Sequence, residues 1–252
     1  MLSKRIIPTL CLNNKKLVHR IQFDKKLERY VGDPLNTIHV FNEYNVDEII
    51  LLDLEISRKK LNIDFDFLRS ISEEAFFPLT YGGGIHNILD AKKIISSGYE
   101  KIVINSSYLN DKQILDILVS EIGTQSIIIS LNLTKYNDQY YIYNYLKNEK
   151  LSITLENYLN ELDKEKVGEI LINLIDIDGK MTGCDFNLIK KCQNITKLPL
   201  IYKGGLCNFD DIKKVLSTNF SAISSSTFFI MKKKNGGIVL DYPSSEQKDS
   251  LC

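Results

Sequence analysis

The sequence has no excess of charge of either sign. Thirty-two lysines and arginines face 32 aspartates and glutamates, and the isoelectric point is near 6.8. That balance removes the electrostatic footprint of a nucleic-acid or anionic-membrane binder. There is no apolar run of membrane-spanning length. The opening Met1–Pro8 is too short in its apolar part for a secretory signal and has no small-residue cleavage site. The five cysteines (Cys11, Cys184, Cys192, Cys207, Cys252) are odd in number, scattered and free of CxxC spacing. They read as reduced thiols of a cytoplasmic protein, against a disulfide framework or a zinc site. His19, His39 and His86 show no ligand spacing, so they read as surface or structural residues, and neither a metal nor a cofactor is expected.

What the sequence does have is a repeat of itself at a fixed offset of 121 residues. Pro78-Leu-Thr-Tyr-Gly-Gly-Gly-Ile-His-Asn87 returns as Pro199-Leu-Ile-Tyr-Lys-Gly-Gly-Leu-Cys-Asn208. The same offset carries Glu48 onto Glu169, Asp64 onto Asp185, and Cys11 onto Asn132. A period this long implies two stacked half-domains, with equivalent positions facing one another across a shared site.

Short β-branched runs alternate with amphipathic segments along both halves. The runs Arg5–Leu12, Glu48–Leu54, Phe77–Tyr81, Lys101–Asn105, Ser126–Leu133, Glu169–Ile175, Leu198–Tyr202 and Ser221–Ser225 are apolar nearly throughout, as parallel strands covered by helices are. Asp33-Pro34, Asn87, Asp111 and Asn208 are plausible helix N-caps. Eight such units predict an α/β fold of the (β/α)8 barrel type built from two half-barrels; a doubly wound open sheet is the competitor, and the two-fold repeat favours closure. Lys15–Gly32 reads as a long polar loop after the first strand, and Gln139–Leu155 as a small hairpin after the fifth. A single domain over residues 1–243 is expected, with a degenerate eighth helix and a frayed tail over 244–252.

Gly82-Gly83-Gly84 and Gly204-Gly205 each sit between a strand and a helix. Glycines there let backbone amides approach a phosphate, though a tight strand-to-helix turn needs them too. Asn105-Ser106-Ser107 and Ser224–Thr227 add hydroxyls at the ends of the neighbouring strands. Together they predict a ligand with two anionic ends, one per half. Asp176-Ile-Asp178-Gly179 places carboxylates around a further glycine turn; a solvated turn and an active-face loop are both open readings.

Lys4–Pro8, Gly32-Asp-Pro34, Asp47–Asp53, Gly82–Ile85, Lys101–Ser106, Gly168–Leu171 and Asp176–Gly179 together resemble HisF, the cyclase subunit of imidazole glycerol phosphate synthase, over about residues 1–229. The resemblance implies a barrel that receives ammonia from a HisH-like glutaminase docked below and delivers it to a bisphosphate above. It implies one phosphate site at Gly83, Gly84, Asn105 and Ser106. The second would lie at Asp178, Gly179, Gly204, Gly205, Ser225 and Ser226. Arg5, Glu48, Lys101 and Glu169 fall on the charged ring that forms the family's ammonia entrance.

Where that family has two catalytic aspartates, this chain has Cys11 and Asn132; Asp176 is the remaining carboxylate of interest. An amide does not titrate, and a thiol sits near pKa 8.5 unless perturbed. Losing a general acid or base typically costs about 10²–10⁴-fold in rate. A lysine expected on the first loop is His19. Ring closure is therefore disfavoured while ammonia delivery is kept. This pattern, with Tyr30–Pro34 and Gly237–Ser244, resembles the AglZ-type acetamidino modification branch of HisF-like proteins. That branch implies a glutaminase supplying ammonia and an ATP-dependent amidotransferase converting a sugar acetamido group. The small molecule would be phosphorylated or a nucleotide sugar. Lys203 and Cys207, within the second glycine turn, depart from both patterns.

Overall fold

The computed structural model describes residues 4–162, 166–232 and 236–251. Eight parallel strands form the wall of a barrel: β1 (Arg5–Asn13), β4 (Ile49–Asp53), β5 (Leu79–Gly82), β6 (Lys101–Ile104), β7 (Ile127–Tyr136), β10 (Glu169–Leu174), β11 (Leu200–Lys203) and β12 (Ala222–Ser225). Each pairs with the next in this order, and both β12–β1 and β7–β10 are paired, so the sheet closes without an edge. Two antiparallel hairpins extend strands of the wall. β2 (Lys16–Ile21) and β3 (Asp24–Gly32) follow β1, while β8 (Gln139–Asn144) and β9 (Glu149–Thr154) follow β7.

The fold is thus the α/β barrel expected from the sequence. Residues 15–32 correct one detail. They are not a loop but a hairpin, the counterpart of the second insertion, turning through Gln22 and Phe23 at positive φ.

The outer layer consists of α1 (Pro34–Glu43), α2 (Ile56–Lys59), α3 (Phe65–Glu74), α4 (Ile88–Ser96), α5 (Ser106–Asn110), α6 (Ile114–Ile122), α7 (Leu155–Glu161), α8 (Phe186–Ile195) and α9 (Phe209–Leu216). The repeat reappears as geometry. α3 and α8 begin and end 121 residues apart, as do β5 and β11, and β6 and β12. Helix starts repeat as well. Asp64 and Asp185 cap α3 and α8, and Asn87 and Asn208 accept the amides of Asp90 and Asp211 at 2.9 and 2.8 Å. Asp211 reaches back to the Cys207 amide at 3.1 Å, which closes a reciprocal cap. Asp33 caps α1 ahead of Pro34 as expected. Asp111 instead ends α5, its carboxylate accepting the Gln113 amide.

Side chains alternate across the strands and make two cores. The outer one lies between wall and helices. The inner one is a layer of Ile7, Ile50, Val103, Ile128, Leu171, Ile201 and Ala222 inside the barrel.

The C-terminal segment corrects the expectation of a frayed tail. Ser245–Leu251 is a helix, α10, packed against α9. Leu251 is buried, and Lys248 donates to the Asn45 carbonyl and the Asp47 carboxylate. Just before it, buried Tyr242 donates to the Ile6 carbonyl at 2.7 Å and accepts the Asp47 amide at 3.2 Å, tying the chain end to β1. Cys252 lies outside the described residues.

The first hairpin is pinned to the rim by charge. Arg20 Nη2 and Lys25 Nζ both bond Glu55, at 2.8 and 2.7 Å, and Arg20 also pairs with Glu28. Burial pushes the Glu55 carboxyl up, but the hydrogen bonds from Lys25 and Arg20 outweigh it, and its pKa falls from 4.5 to about 2.

Two outcomes follow. Tyr242→Phe leaves a buried carbonyl and amide short of a partner and lowers unfolding stability by about 1–3 kcal/mol, read by urea denaturation. A depressed carboxylate contributes stability above its unfolded pKa and loses it as pH falls toward its folded one. The advantage of the wild type over Glu55→Gln is therefore full above about pH 4.5 and shrinks progressively below it, read as the difference in melting temperature against pH.

Candidate functional site

At the ends of the strands from which both hairpins project, the barrel opens into a cavity. Strand ends supply Cys11, Asp53, Gly82, Asn105, Asn132, Asn173 and Lys203, the turns after them Gly83, Gly84 and Asp178, and the short helices α2 and α5 supply Ser57, Arg58, Ser106 and Ser107. The two hairpins meet above it: Phe23 at the turn of the first stands edge-on to Tyr145 at the tip of the second, ring centroids 6.4 Å apart. Arg58 is held beneath this roof, its Nη2 donating to the Tyr145 carbonyl at 2.9 Å and its guanidinium 5.7 Å from the Tyr145 ring.

The residues expected to form the first phosphate site are brought together. Gly83, Gly84, Asn105 and Ser106 all line the cavity. Glycine is required at Gly84, where φ is +71° and a Cβ would come within 2.0 Å of the Ile56 side chain. Asn105 Nδ2 donates to the Ser130 carbonyl at 2.6 Å, which fixes the amide so that Oδ1 is its free end. Among the described residues, Arg58 Nε and Asn105 Oδ1 are the buried side-chain polar atoms without a hydrogen-bond partner, and both residues line this cavity.

Of the residues expected to form the second, only some are brought to the cavity. Asp178 and Ser226 line the cavity, but Gly179, Gly204, Gly205 and Ser225 do not. Gly179 lies against the backbone of Arg20 and Ile21, Gly204 against Leu174, and Gly205 against Gly183, whose amide donates to the Gly205 carbonyl. Ser225 Oγ accepts the amides of Thr227 and Phe228. Lys203 Nζ is bonded to both oxygens of Asp178 at 2.8 and 2.7 Å. These groups are spent on one another.

The three positions expected to be catalytic separate. Cys11 and Asn132 both face the cavity. Burial pushes the Cys11 thiol up to about 11 despite the nearby Lys203 charge, so it is a neutral thiol at physiological pH. Asn132 Oδ1 accepts from Asn173 Nδ2 at 3.1 Å, and Asn173 Oδ1 lies 3.4 Å from Lys203 Nζ, so the layer is a chain of amides ending in an ion pair. Asp176 is a correction: it does not line the cavity. Its carboxylate accepts from Thr134 Oγ1 at 3.0 Å and the Lys135 amide at 2.6 Å, bracing the root of the second hairpin. His19 is buried, its Nε2 2.9 Å from Thr227 Oγ1, and burial lowers its pKa, which makes it a structural neutral imidazole.

At the opposite end of the barrel, beyond the inner apolar layer, the four charged residues form a closed ring. Arg5 bonds Glu48 at 2.6 Å and also Glu169; Lys101 bonds Glu169 at 2.7 Å and Glu48 at 3.2 Å. Thr80 Oγ1 donates to Glu48 at 2.7 Å. Burial would push Glu169 up, but Arg5 and Lys101 hold it below the usual carboxylate value. Such a ring stands only as a unit, because removing one member leaves a buried charge without its partner.

Arg58, Ser57, Asp53 and Tyr145 were not singled out from the sequence. The signal was available for two of them, since the 121-residue offset carries Ser57 onto Asp178 and Arg58 onto Gly179.

The chain is similar to known proteins over nearly its whole length. Residues 5–233 match the family model described as histidine biosynthesis protein. A Leptospira interrogans protein named "Putative imidazole glycerol phosphate synthase subunit HisF" is 33% identical over 254 residues, covering 100% of this chain and 99% of that protein. A Campylobacter jejuni protein with the same name ending hisF2 is 36% identical over 236 residues, covering 92% of each. "Imidazole glycerol phosphate synthase subunit HisF" of Dictyoglomus turgidum is 32% identical over 231 residues, covering 91% of this chain and 90% of its own. With a closed eight-stranded barrel, a match running nearly its full length and relatives of matching extent, the chain belongs to the histidine biosynthesis protein family as a HisF-like member.

Proposed function

We propose that this chain is the ammonia-delivering, synthase-like subunit of a glutamine amidotransferase system. It works with a HisH-like glutaminase and serves the conversion of an acetamido to an acetamidino group on a phosphorylated or nucleotide-linked surface-glycan sugar. The observation that carries the reading is the pairing of a complete four-charge ring with a cavity whose two acid–base positions are Cys11 and Asn132. A neutral thiol and an amide offer no group that titrates near neutrality, so acid–base ring closure lacks its agents. Delivery of ammonia needs neither. It needs a passage for a small neutral molecule, and the ring of Arg5, Glu48, Lys101 and Glu169 at the far end of the barrel would serve as its entrance. Arg5 and Lys101 each bond both glutamates, so opening the passage requires one of these cations to swing aside.

The layer between ring and cavity supports the same reading. Ile7, Ile50, Val103, Ile128, Leu171, Ile201 and Ala222 are apolar, so they favour neutral ammonia over ammonium, whose desolvation is costly. The partner amidotransferase of this system would be ATP-dependent. Among the described residues no helix is long and apolar enough to cross a membrane, and no cluster suited to a metal ion is present.

The second reading, a cyclase of histidine biosynthesis, draws on the names of the relatives. The two separate in one assay. Supplied with the cyclase's own substrate and an ammonium salt, the protein is expected to give no turnover; turnover that Asn132→Ala abolishes would overturn the delivery reading. In a reconstituted complex with the glutaminase, Lys101→Ala and Glu169→Ala are expected to leave glutamine hydrolysis running while product amidination falls about tenfold, equivalent to about 1.4 kcal/mol. Coupling that stays intact in both variants removes the ring from the mechanism.

A further inference from the structure

We propose that the cavity takes a hydroxylated phosphate monoester with one anionic end, gripped by Arg58 beside the Gly82–Gly84 turn, and that the Lys203–Asp178 pair closes the place a second phosphate would need. The inference rests on the reading of this cavity as a ligand site and deepens it by fixing the ligand's charge and polarity. It does not depend on the glutaminase partner.

The two halves of the repeat are unequal where they face the cavity. The offset carries Gly82 onto Lys203. Gly82 packs so closely between Leu52 and Val103 that a Cβ would come within 2.8 Å of each, and the first half keeps open space above it. In the second half a lysine side chain fills the equivalent position, and its ammonium is buried and consumed by both oxygens of Asp178. A second phosphate would have to break that pair, and the glycines that would receive it lie outside the cavity.

The cations around the cavity give the same count. Arg20 is bonded to Glu28 and Glu55, and Lys203 to Asp178. Arg58 makes its hydrogen bond to a neutral carbonyl, and its buried Nε has no partner. Asp53 also lines the cavity; its Oδ1 accepts the amides of Glu55 and Ile56, and it forms no ion pair with Arg58. One cation therefore faces the cavity without a bonded carboxylate, and one anionic group matches it.

Around Arg58 stand hydroxyls suited to a group with three acceptor oxygens. Ser57, whose Oγ accepts the Gly84 amide at 2.9 Å, Ser106 and Tyr145 all line the cavity. Asn105 Oδ1 is the complementary feature. As an unpartnered acceptor it calls for a donor from the ligand, such as a sugar hydroxyl, and this reassigns Asn105 from phosphate binding to recognition of the ligand body.

Isothermal titration calorimetry on the full chain tests this with ribose 5-phosphate, ribulose 1,5-bisphosphate and UDP-N-acetylglucosamine as probes. Ribose 5-phosphate is expected to bind, with the bisphosphate no more than about threefold tighter and the nucleotide sugar weaker. Arg58→Met is expected to weaken the monophosphate about tenfold or more, the loss of a charge-assisted hydrogen bond. Should that variant melt abnormally, Tyr145→Phe, which removes a single hydroxyl, is expected to weaken the monophosphate while leaving the melting curve in place. Joint replacement Lys203→Ser and Asp178→Asn is expected to tighten the bisphosphate selectively. Binding of the bisphosphate or the nucleotide sugar at least about tenfold tighter than the monophosphate overturns the proposal. So does unchanged affinity in folded Arg58→Met, or no heat from ribose 5-phosphate at about millimolar concentration. Glutaminase stimulation without monophosphate binding defeats this inference alone, whereas the reverse result defeats the delivery reading alone.

Discussion

Closure of the sheet is the constraint from which the rest of the molecule follows. Once β7 pairs with β10 and β12 with β1, every barrel strand has neighbours on both sides, and alternate residues must point into a space of fixed width. Along β1 this puts Arg5, Ile7 and Cys11 on one inward line, and the other strands repeat the order at their own heights. Charge at one mouth, hydrocarbon in the middle and polar groups at the other mouth are three levels of one alternation. The ring of Arg5, Glu48, Lys101 and Glu169 is affordable there because closure brings two cations and two carboxylates into contact; each alone would face a desolvation penalty without its counter-charge.

The duplication supplies the second organising rule, and the departures from it carry the specificity. The limits of α3 and α8, β5 and β11, and β6 and β12 coincide between halves, as do the capping residues of α3 and α8, so this part of the scaffold has stayed symmetric. The cavity has not. Gly82 against Lys203 and Arg58 against Gly179 convert a two-fold frame into a site with one cationic end and one internally neutralised end. The hairpins depart likewise: both follow equivalent strands, yet one contributes Phe23 and the other Tyr145, and these rings meet over the opening.

The acid–base chemistry of the cavity is quiet for physical reasons that residue identity alone conveys only in part. Asn132 could not titrate in any fold. Cys11 could have been activated by a neighbouring cation, and Lys203 is near enough to act on it. Burial nonetheless dominates, and Lys203 is already engaged with Asp178, so the thiol stays protonated.

The sequence by itself determined the barrel, its halves and its layers. Hydrophobic periodicity, capping residues and the repeat are local or one-dimensional signals, and they located all eight strands and both glycine turns. It also named the four ring charges, through resemblance. Tertiary structure alone decided who spends whose hydrogen bonds. Asp176 reads as a free carboxylate in the sequence, whereas Thr134 and Lys135 occupy it in space; residues 15–32 read as a loop because charged residues dominate them, and the burial of Leu17, Val18 and Val31 is visible only once the hairpin folds onto the rim. Residues 245–251 are too polar for a sequence pattern to show docking, yet Leu251 packs into the core and Lys248 bonds Asp47 across about two hundred residues of chain. The unmatched Arg58 Nε and the Lys203–Asp178 pair are likewise properties of distance in space, which no pattern along the chain encodes.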